Sequence, residues 1–232
     1  MDYEAEAERV RQKFVTYGPH DESKWKFVKT SDGCHIYKAK EVESDRNRPY
    51  KAEILLDCSP ERVIDLCDLA TGRRLEWDSM LEALIVLEEV SQKVRLVHHK
   101  ACSTLKGLIS ARDSIDITYS GYTVDPTGKD VFAVVASSVE DERFPANDKK
   151  YVRVQLYGAG YLIYKVEGDP NRTLFVLVFN ADLKTNTVAT LVADFVKPGL
   201  MLESLRCLRK GLDELPLQKP SATAIFREND RT

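Results

Sequence analysis

The stretch SARDSIDITYS, residues 110–120, places hydrogen-bonding groups at every second position. Read with the two-residue period of a strand, Arg112, Ser114, Asp116 and Thr118 share one face, while Ile115, Ile117 and Tyr119 share the other. A guanidinium, a carboxylate and two hydroxyls in one row can hold a polar headgroup or a few trapped waters. On an ordinary half-buried strand the same row simply faces bulk water. Arg112 and Asp116 lie about 13 Å apart at roughly 3.3 Å per residue, so they cannot pair, and each needs its own partner if buried.

Other residues with chemical potential lead to less. His98 and His99 are adjacent, so on a strand they point to opposite faces and cannot chelate one metal. Cys34-His35 fails for the same reason. DPTGKD (125–130) lacks the upstream glycine and the following Ser/Thr of a phosphate loop and reads as a hairpin turn. GAGY (158–161) lies inside a strand run, where glycines mark a bulge. There is no G-x-S-x-G elbow and no HExxH helix, and no nucleophile–base spacing stands out. The reading is a protein that is not an enzyme, with no cofactor and no metal site.

The elements that must position the polar row follow from periodicity. Residues 2–16 read as a helix with Val10, Phe14 and Val15 on one side and Gly18-Pro19 ending it. Strand runs follow at 25–30, 34–40 and 50–57, with Asp32-Gly33 as a hairpin turn between the first two. Ser59-Pro60-Glu61 opens a short helix. Residues 81–184 are nearly all strand, separated by turn signals such as Asp125-Pro126-Thr127-Gly128 and Gly168-Asp169-Pro170, which predicts an antiparallel meander. A long amphipathic helix is predicted over about 187–214, apolar at Val188, Leu191, Phe195, Leu202 and Leu205, with Lys197-Pro198-Gly199 kinking or loosening it. The fold class is α+β: a curved antiparallel sheet of about nine strands around a long C-terminal helix, in one domain over 1–215, with 216–232 a flexible tail.

The totals exclude several functions. With 34 basic and 37 acidic residues and a net charge of −3, the chain has no electrostatic footprint for nucleic acid. The acidic start, MDYEAEAERVRQKF, lacks the apolar core of a signal peptide, and no apolar run approaches the roughly 18–20 residues that cross a bilayer. Five scattered cysteines, an odd number, read as reduced thiols. These features point to a cytoplasmic protein.

Five stretches taken in order resemble the START (steroidogenic acute regulatory protein-related lipid transfer) family over nearly the whole chain. They are WKFVKTSDGCHIYK (25–38), RRLEWDSM (73–80), LISARDSIDIT (108–118), KKYVRVQLYGAGYLI (149–163) and VFNADLKTNTVATLV (178–192). The resemblance implies a helix-grip fold, a U-shaped sheet around an apolar tunnel that is roofed by the last helix and holds one lipid. It turns Arg112, Ser114, Asp116 and Thr118 toward the tunnel. It makes the loop Leu105, Lys106, Gly107, Leu108, Ile109 a lid that touches a membrane transiently, with Pro198-Gly199 a candidate hinge.

The likeness is strongest to the compact cytosolic sterol carriers, through the R-L-x-W-D-S pattern (Arg74 to Ser79), the I-S-x-R entry (Ile109 to Arg112) and Asp116. Sterol-binding members with a buried Glu–Arg pair carry it at positions that match His99 and Thr118, so that pair is missing here. Phosphatidylcholine is the alternative ligand. The phosphatidylcholine transfer protein matches DCSPERV (57–63) and has a phosphate-contacting Arg where Arg74 stands, with Asp78 also matched. Of its aromatic choline cage only Tyr157 is retained, since His99 and Ser114 occupy two ring positions. The expected ligand-binding set is therefore Arg74, Asp78, His99, Arg112, Ser114, Asp116, Thr118, Tyr157, Asn180, Phe195 and Leu202. The expected activity is non-vesicular transfer of one sterol; a lipid sensor without transfer activity is the rival class.

Overall fold

The computed structural model describes residues 1–18, 23–41, 48–104, 107, 109–146, 149–184 and 193–218. Helix α1 (Tyr3–Val15) is followed by strands β1 (Trp25–Ser31), β2 (Cys34–Ala39) and β3 (Tyr50–Leu56), then by α2 (Pro60–Cys67) and the single-turn helix α3 (Arg74–Trp77). Strands β4 (Leu81–Glu89), β5 (Val94–Ala101), β6 (Arg112–Val124), β7 (Asp130–Ser138), β8 (Val152–Arg153), β9 (Gln155–Val166), β10 (Asp169–Phe179) and β11 (Ala181–Asp182) lead to helix α4 (Ala193–Glu214). The sheet runs β1-β2-β3-β10-β9-β7-β6-β5-β4, with β11 beside β9 and the two-residue β8 parallel to β6. This is the α+β helix-grip arrangement expected, nine strands in the main path with two short additions.

Local signals explain the joints. Asp32 and Gly33 take φ of 54° and 72°, the doubly left-handed backbone of a type I′ turn, between the paired Ser31 and Cys34. The β6–β7 turn is closed by Asp125, whose carboxylate accepts from the backbone N–H groups of Thr127 (2.8 Å) and Lys129 (3.0 Å). The predicted bulge lies in GAGY. Ala136 pairs with Ala159 and Ser137 with Tyr157, so Gly158, at φ +97°, is the extra residue. Val154 separates the two-residue β8 from β9.

Both faces of the sheet are covered. Val131, Ala133 and Val135 of β7, Leu162 and Tyr164 of β9, and Val176 and Val178 of β10 pack with Ala7, Val10 and Phe14 of α1. The alternate residues Phe132, Val134, Tyr161, Ile163, Phe175 and Leu177 pack on the other face with α2, Trp77 and the α4 residues Met201, Leu205 and Leu208. Strand β6 is buried continuously from Arg112 to Gly121. Its apolar residues Ile117 and Tyr119 pack in the cluster under α1. Helix α4 carries Pro198 within it, so the interruption expected at 197–199 does not appear as a break. Residues 187–192 and 219–232, which were assigned to that helix and to the tail, lie outside the described residues.

Close backbone packing of β7 on β9 needs a glycine. A Cβ on Gly160, at φ +153°, would stand 1.9 Å from the Val134 carbonyl oxygen. Gly160→Ala is expected to cost about 3 kcal/mol or more through overpacking, read as a lowered urea midpoint with an unchanged slope. A midpoint within error of the parent would contradict this packing.

Candidate functional site: a largely apolar cavity under the C-terminal helix

Between the inner face of the sheet and α4 lies a cavity of about 230 Å³, far above the roughly 10–15 Å³ that suffices for one water. Its walls are largely apolar: Val134 and Ala136 of β7, Leu156 and Ala159 of β9, Leu177 and Phe179 of β10, and Leu200 and Met201 of α4. The polar lining includes His99, Arg112, Ser114 and Thr118, all expected from the sequence, together with Arg74 and Asp78 from the α3 turn. The question posed by the alternating stretch is thereby answered. The polar row of β6 faces an internal cavity and the apolar row faces α1.

Each polar wall group has been given partners. Asp116 is fully buried. Its Oδ2 accepts from Ser114 Oγ (2.6 Å) and meets His99 Nδ1 (2.7 Å), and its Oδ1 accepts from Ser138 Oγ (2.6 Å). A ring nitrogen facing a carboxylate carries the hydrogen, so in the neutral imidazole Nε2 is an acceptor. No hydrogen bond engages His99 Nε2 among the described residues. Thr118 Oγ1 donates to the Arg95 carbonyl at 2.9 Å. Asp116 itself is not on the cavity surface; it stands behind His99 and Ser114 and fixes both.

Arg74 and Asp78 form a closed unit. Arg74 donates Nε (2.8 Å) and Nη2 (2.5 Å) to Asp78 Oδ2, and its guanidinium lies 4.7 Å from the Trp77 ring and 4.8 Å from the Tyr161 ring. Asp78 Oδ1 also accepts the Met80 N–H. His98 points to the opposite face from His99 and meets Asp113 at 2.9 Å, where Arg153 donates Nε and Nη2 to the same carboxylate. Burial alone would push the Asp113 carboxyl up. The hydrogen bonds from Arg153 and His98 outweigh that and hold it below its ordinary value.

Besides Asp116, three expected residues lie off the cavity wall. Tyr157 and Asn180 do not line the cavity; at the bulge the Asn180 side chain donates Nδ2 to the Tyr157 carbonyl at 2.9 Å, and the Tyr157 N–H donates to the Asn180 carbonyl at 2.8 Å. The extra residue Gly158 shifts the alternation, so Leu156, Ala159 and Tyr161 face inward instead. Leu202 sits in the core beside the cavity, while Leu200, Met201 and Ser204 of α4 line it. Nothing is described of the Phe195 side chain, and Leu105, Lys106 and Leu108 of the lid lie outside the described residues. Gly107 is at φ +87°, and Ile109 is buried against Val196 and Leu200 of α4, anchored by a reciprocal backbone pair with Thr104. Pro198 is buried and Gly199 half-buried. Met80, Tyr161 and Ser204 were missed: a bulge, a turn and an unknown helix phase hide their direction.

A hollow helix-grip protein with a mostly apolar chamber is the class that this geometry defines. The START domain model matches residues 5–217, and the chain belongs to that family. It is 28% identical over 194 residues to StAR-related lipid transfer protein 5 of Bos taurus, covering 82% of this chain and 86% of the relative. It is 24% identical over 184 residues to StAR-related lipid transfer protein 6 of Homo sapiens, covering 79% and 80%. Among solved structures, human StAR-related lipid transfer protein 5 superposes with a TM-score of 0.77 at 22% identity, covering 91% of this chain and 97% of that one. Human STARD10 superposes at 0.67 with 18% identity, covering 97% and 87%. No described helix is long and apolar enough to cross a membrane.

The Asp113 network gives a pH-dependent prediction. A carboxyl depressed in the folded state contributes stability that is present above its ordinary range, near 4, and lost as pH falls through its lowered folded value. Arg153→Gln is expected to cost about 2 kcal/mol at pH 7, measured by urea unfolding. The difference from the parent should shrink as pH falls below 4. A loss that is the same at pH 7 and pH 2.5 would contradict the assignment.

Proposed function

We propose that this protein binds one sterol molecule in the cavity under α4 and carries it between membranes. The observation that carries the reading is His99 on the wall of an otherwise largely apolar chamber, its Nδ1 tied to the buried Asp116 and its Nε2 unengaged among the described residues. A sterol has one hydroxyl and a rigid apolar body. Its O–H donates to Nε2, and the body is driven in by burial of apolar area at about 25 cal/mol per Å². The names of the relatives, lipid transfer proteins, support the transfer half of the reading. His99 and Thr118 occupy the positions that match the Glu–Arg pair of other sterol-binding family members, and on this proposal His99 supplies the acceptor here.

Phosphatidylcholine is the less supported ligand. Arg74, which the resemblance matches to a phosphate-contacting arginine, is already committed to Asp78, Trp77 and Tyr161. Tyr157, the one cage aromatic retained, is not on the cavity wall. Loading requires the α4 roof and the Ile109 anchor to part, and the segment around Gly107 is the element we assign to transient membrane contact. Transfer in the cytoplasm, with peripheral membrane association only, is the corresponding location.

Uptake and vesicle-to-vesicle transfer of dehydroergosterol, followed by its fluorescence, test this reading. The protein is expected to accelerate transfer, and His99→Phe to weaken binding about tenfold by leaving the hydroxyl unpaired. Binding without transfer would establish a sensor in place of a carrier. No sterol uptake, with phosphatidylcholine taken up instead, would overturn the sterol assignment.

A further inference from the structure

The two arginines on the cavity wall differ in one respect. Arg74 is answered by Asp78. Arg112, only 8% exposed, is not answered by any carboxylate among the described residues. Its Nε donates to the Leu183 carbonyl at 3.0 Å and its Nη1 to the Ser110 carbonyl at 2.7 Å and the Ser110 hydroxyl, all neutral acceptors. No acceptor among the described residues engages Nη2. The nearby acids are spent: Asp113 is held by Arg153 and His98, and Asp116, about 13 Å along the strand, already has three partners. Burial, with no anion to offset it, pushes the Arg112 pKa down. A cation withdrawn from water without a counter-charge is costly and gains most from an anion that enters beside it.

We propose that Arg112 is an anion-binding group of the cavity, and that the preferred ligand is an apolar molecule bearing one anionic substituent, a carboxylate, sulfate or phosphate. The inference rests on the carrier reading above and narrows its ligand class. Arg112 pairs with Ala101, and two residues along the same strands Ser114 pairs with His99. The anion site and His99 are thus about 7 Å apart on one face, with Leu183 and Ile109 at the Arg112 end and the apolar walls of β7, β9 and β10 beyond. Only the two hydrogens of Nη2 are left to donate to an oxyanion, a charge-assisted contact, whereas a neutral hydroxyl recovers less of the buried charge.

Displacement of dehydroergosterol by cholesterol, cholesterol sulfate, dioleoyl phosphatidylcholine and dioleoyl phosphatidate tests it. The readout is the affinity ratio of each anionic lipid to its uncharged or zwitterionic counterpart. In the parent protein cholesterol sulfate, whose sulfate replaces the hydroxyl that meets His99, is expected to bind about tenfold tighter than cholesterol, the Arg112 contact outweighing the lost Nε2 bond. That ratio should fall to about one in Arg112→Gln and persist in Arg112→Lys. An Arg112-dependent advantage seen with phosphatidate instead would support the same site, with a phospholipid head as the anion's source. Ratios near one for both pairs in the parent, or an advantage that survives Arg112→Gln, would overturn the inference while leaving a neutral-sterol carrier intact. Failure of dehydroergosterol itself to enter, with every competitor inert, would overturn the carrier reading and this inference with it.

Discussion

The Asp116 carboxylate, wholly removed from water, is the constraint on which the cavity wall depends. A buried carboxylate is tolerable only when its lone pairs are used. Here they are used by groups from three adjacent strands: His99 on β5, Ser114 on β6 and Ser138 on β7. Those bonds tie the strands where the sheet faces the chamber. They also tie His99 through Nδ1 and hold the Ser114 hydroxyl to the same carboxylate. The chamber therefore presents a limited polar face although its wall carries an acid, an imidazole and hydroxyls. A second closed unit, Arg74 with Asp78 beside Trp77 and Tyr161, does the same elsewhere on the wall.

The sheet that frames these groups is buried on both sides, which inverts a usual inference. On a half-buried strand the polar set faces water and the apolar set faces the core. In β6 the apolar set goes to a second core under α1, and the polar set goes inward because it is satisfied there. Periodicity showed that the two faces of β6 differ, but not which side each one takes. That direction depended on where α1 packs, a contact between residues more than a hundred positions apart in the chain.

The same distinction separates what was legible from what was not. The Asp32-Gly33 turn, the bulge in GAGY and the Asp125 turn are local backbone requirements, written in residues that satisfy them, and they were readable. The pairing of β3 with β10, which joins the first three strands to the meander, has no local signature. Across the bulge at Gly158 the inward positions of β9 are Leu156, Ala159 and Tyr161, which leaves Tyr157 off the wall, and Asn180 follows the inward Phe179 and so falls on the alternate side. Leu202 was assigned to the roof, where the helix presents Leu200, Met201 and Ser204 instead, since an amphipathic stripe marks a buried face without separating packed from cavity-lining positions. Arg74 was expected in the chamber, but its engagement by Asp78 and two rings could not be read from spacing alone.

The central claim, that the chamber under α4 is built to hold one sterol-class molecule, is tested most directly by mass spectrometry of whatever small molecule co-purifies with the intact protein from a eukaryotic cell extract. The account predicts a sterol-class ligand at near one-to-one stoichiometry, displaced when His99 is replaced. A glycerophospholipid at that stoichiometry, or a protein that stays empty and takes up no lipid from vesicles, would contradict it.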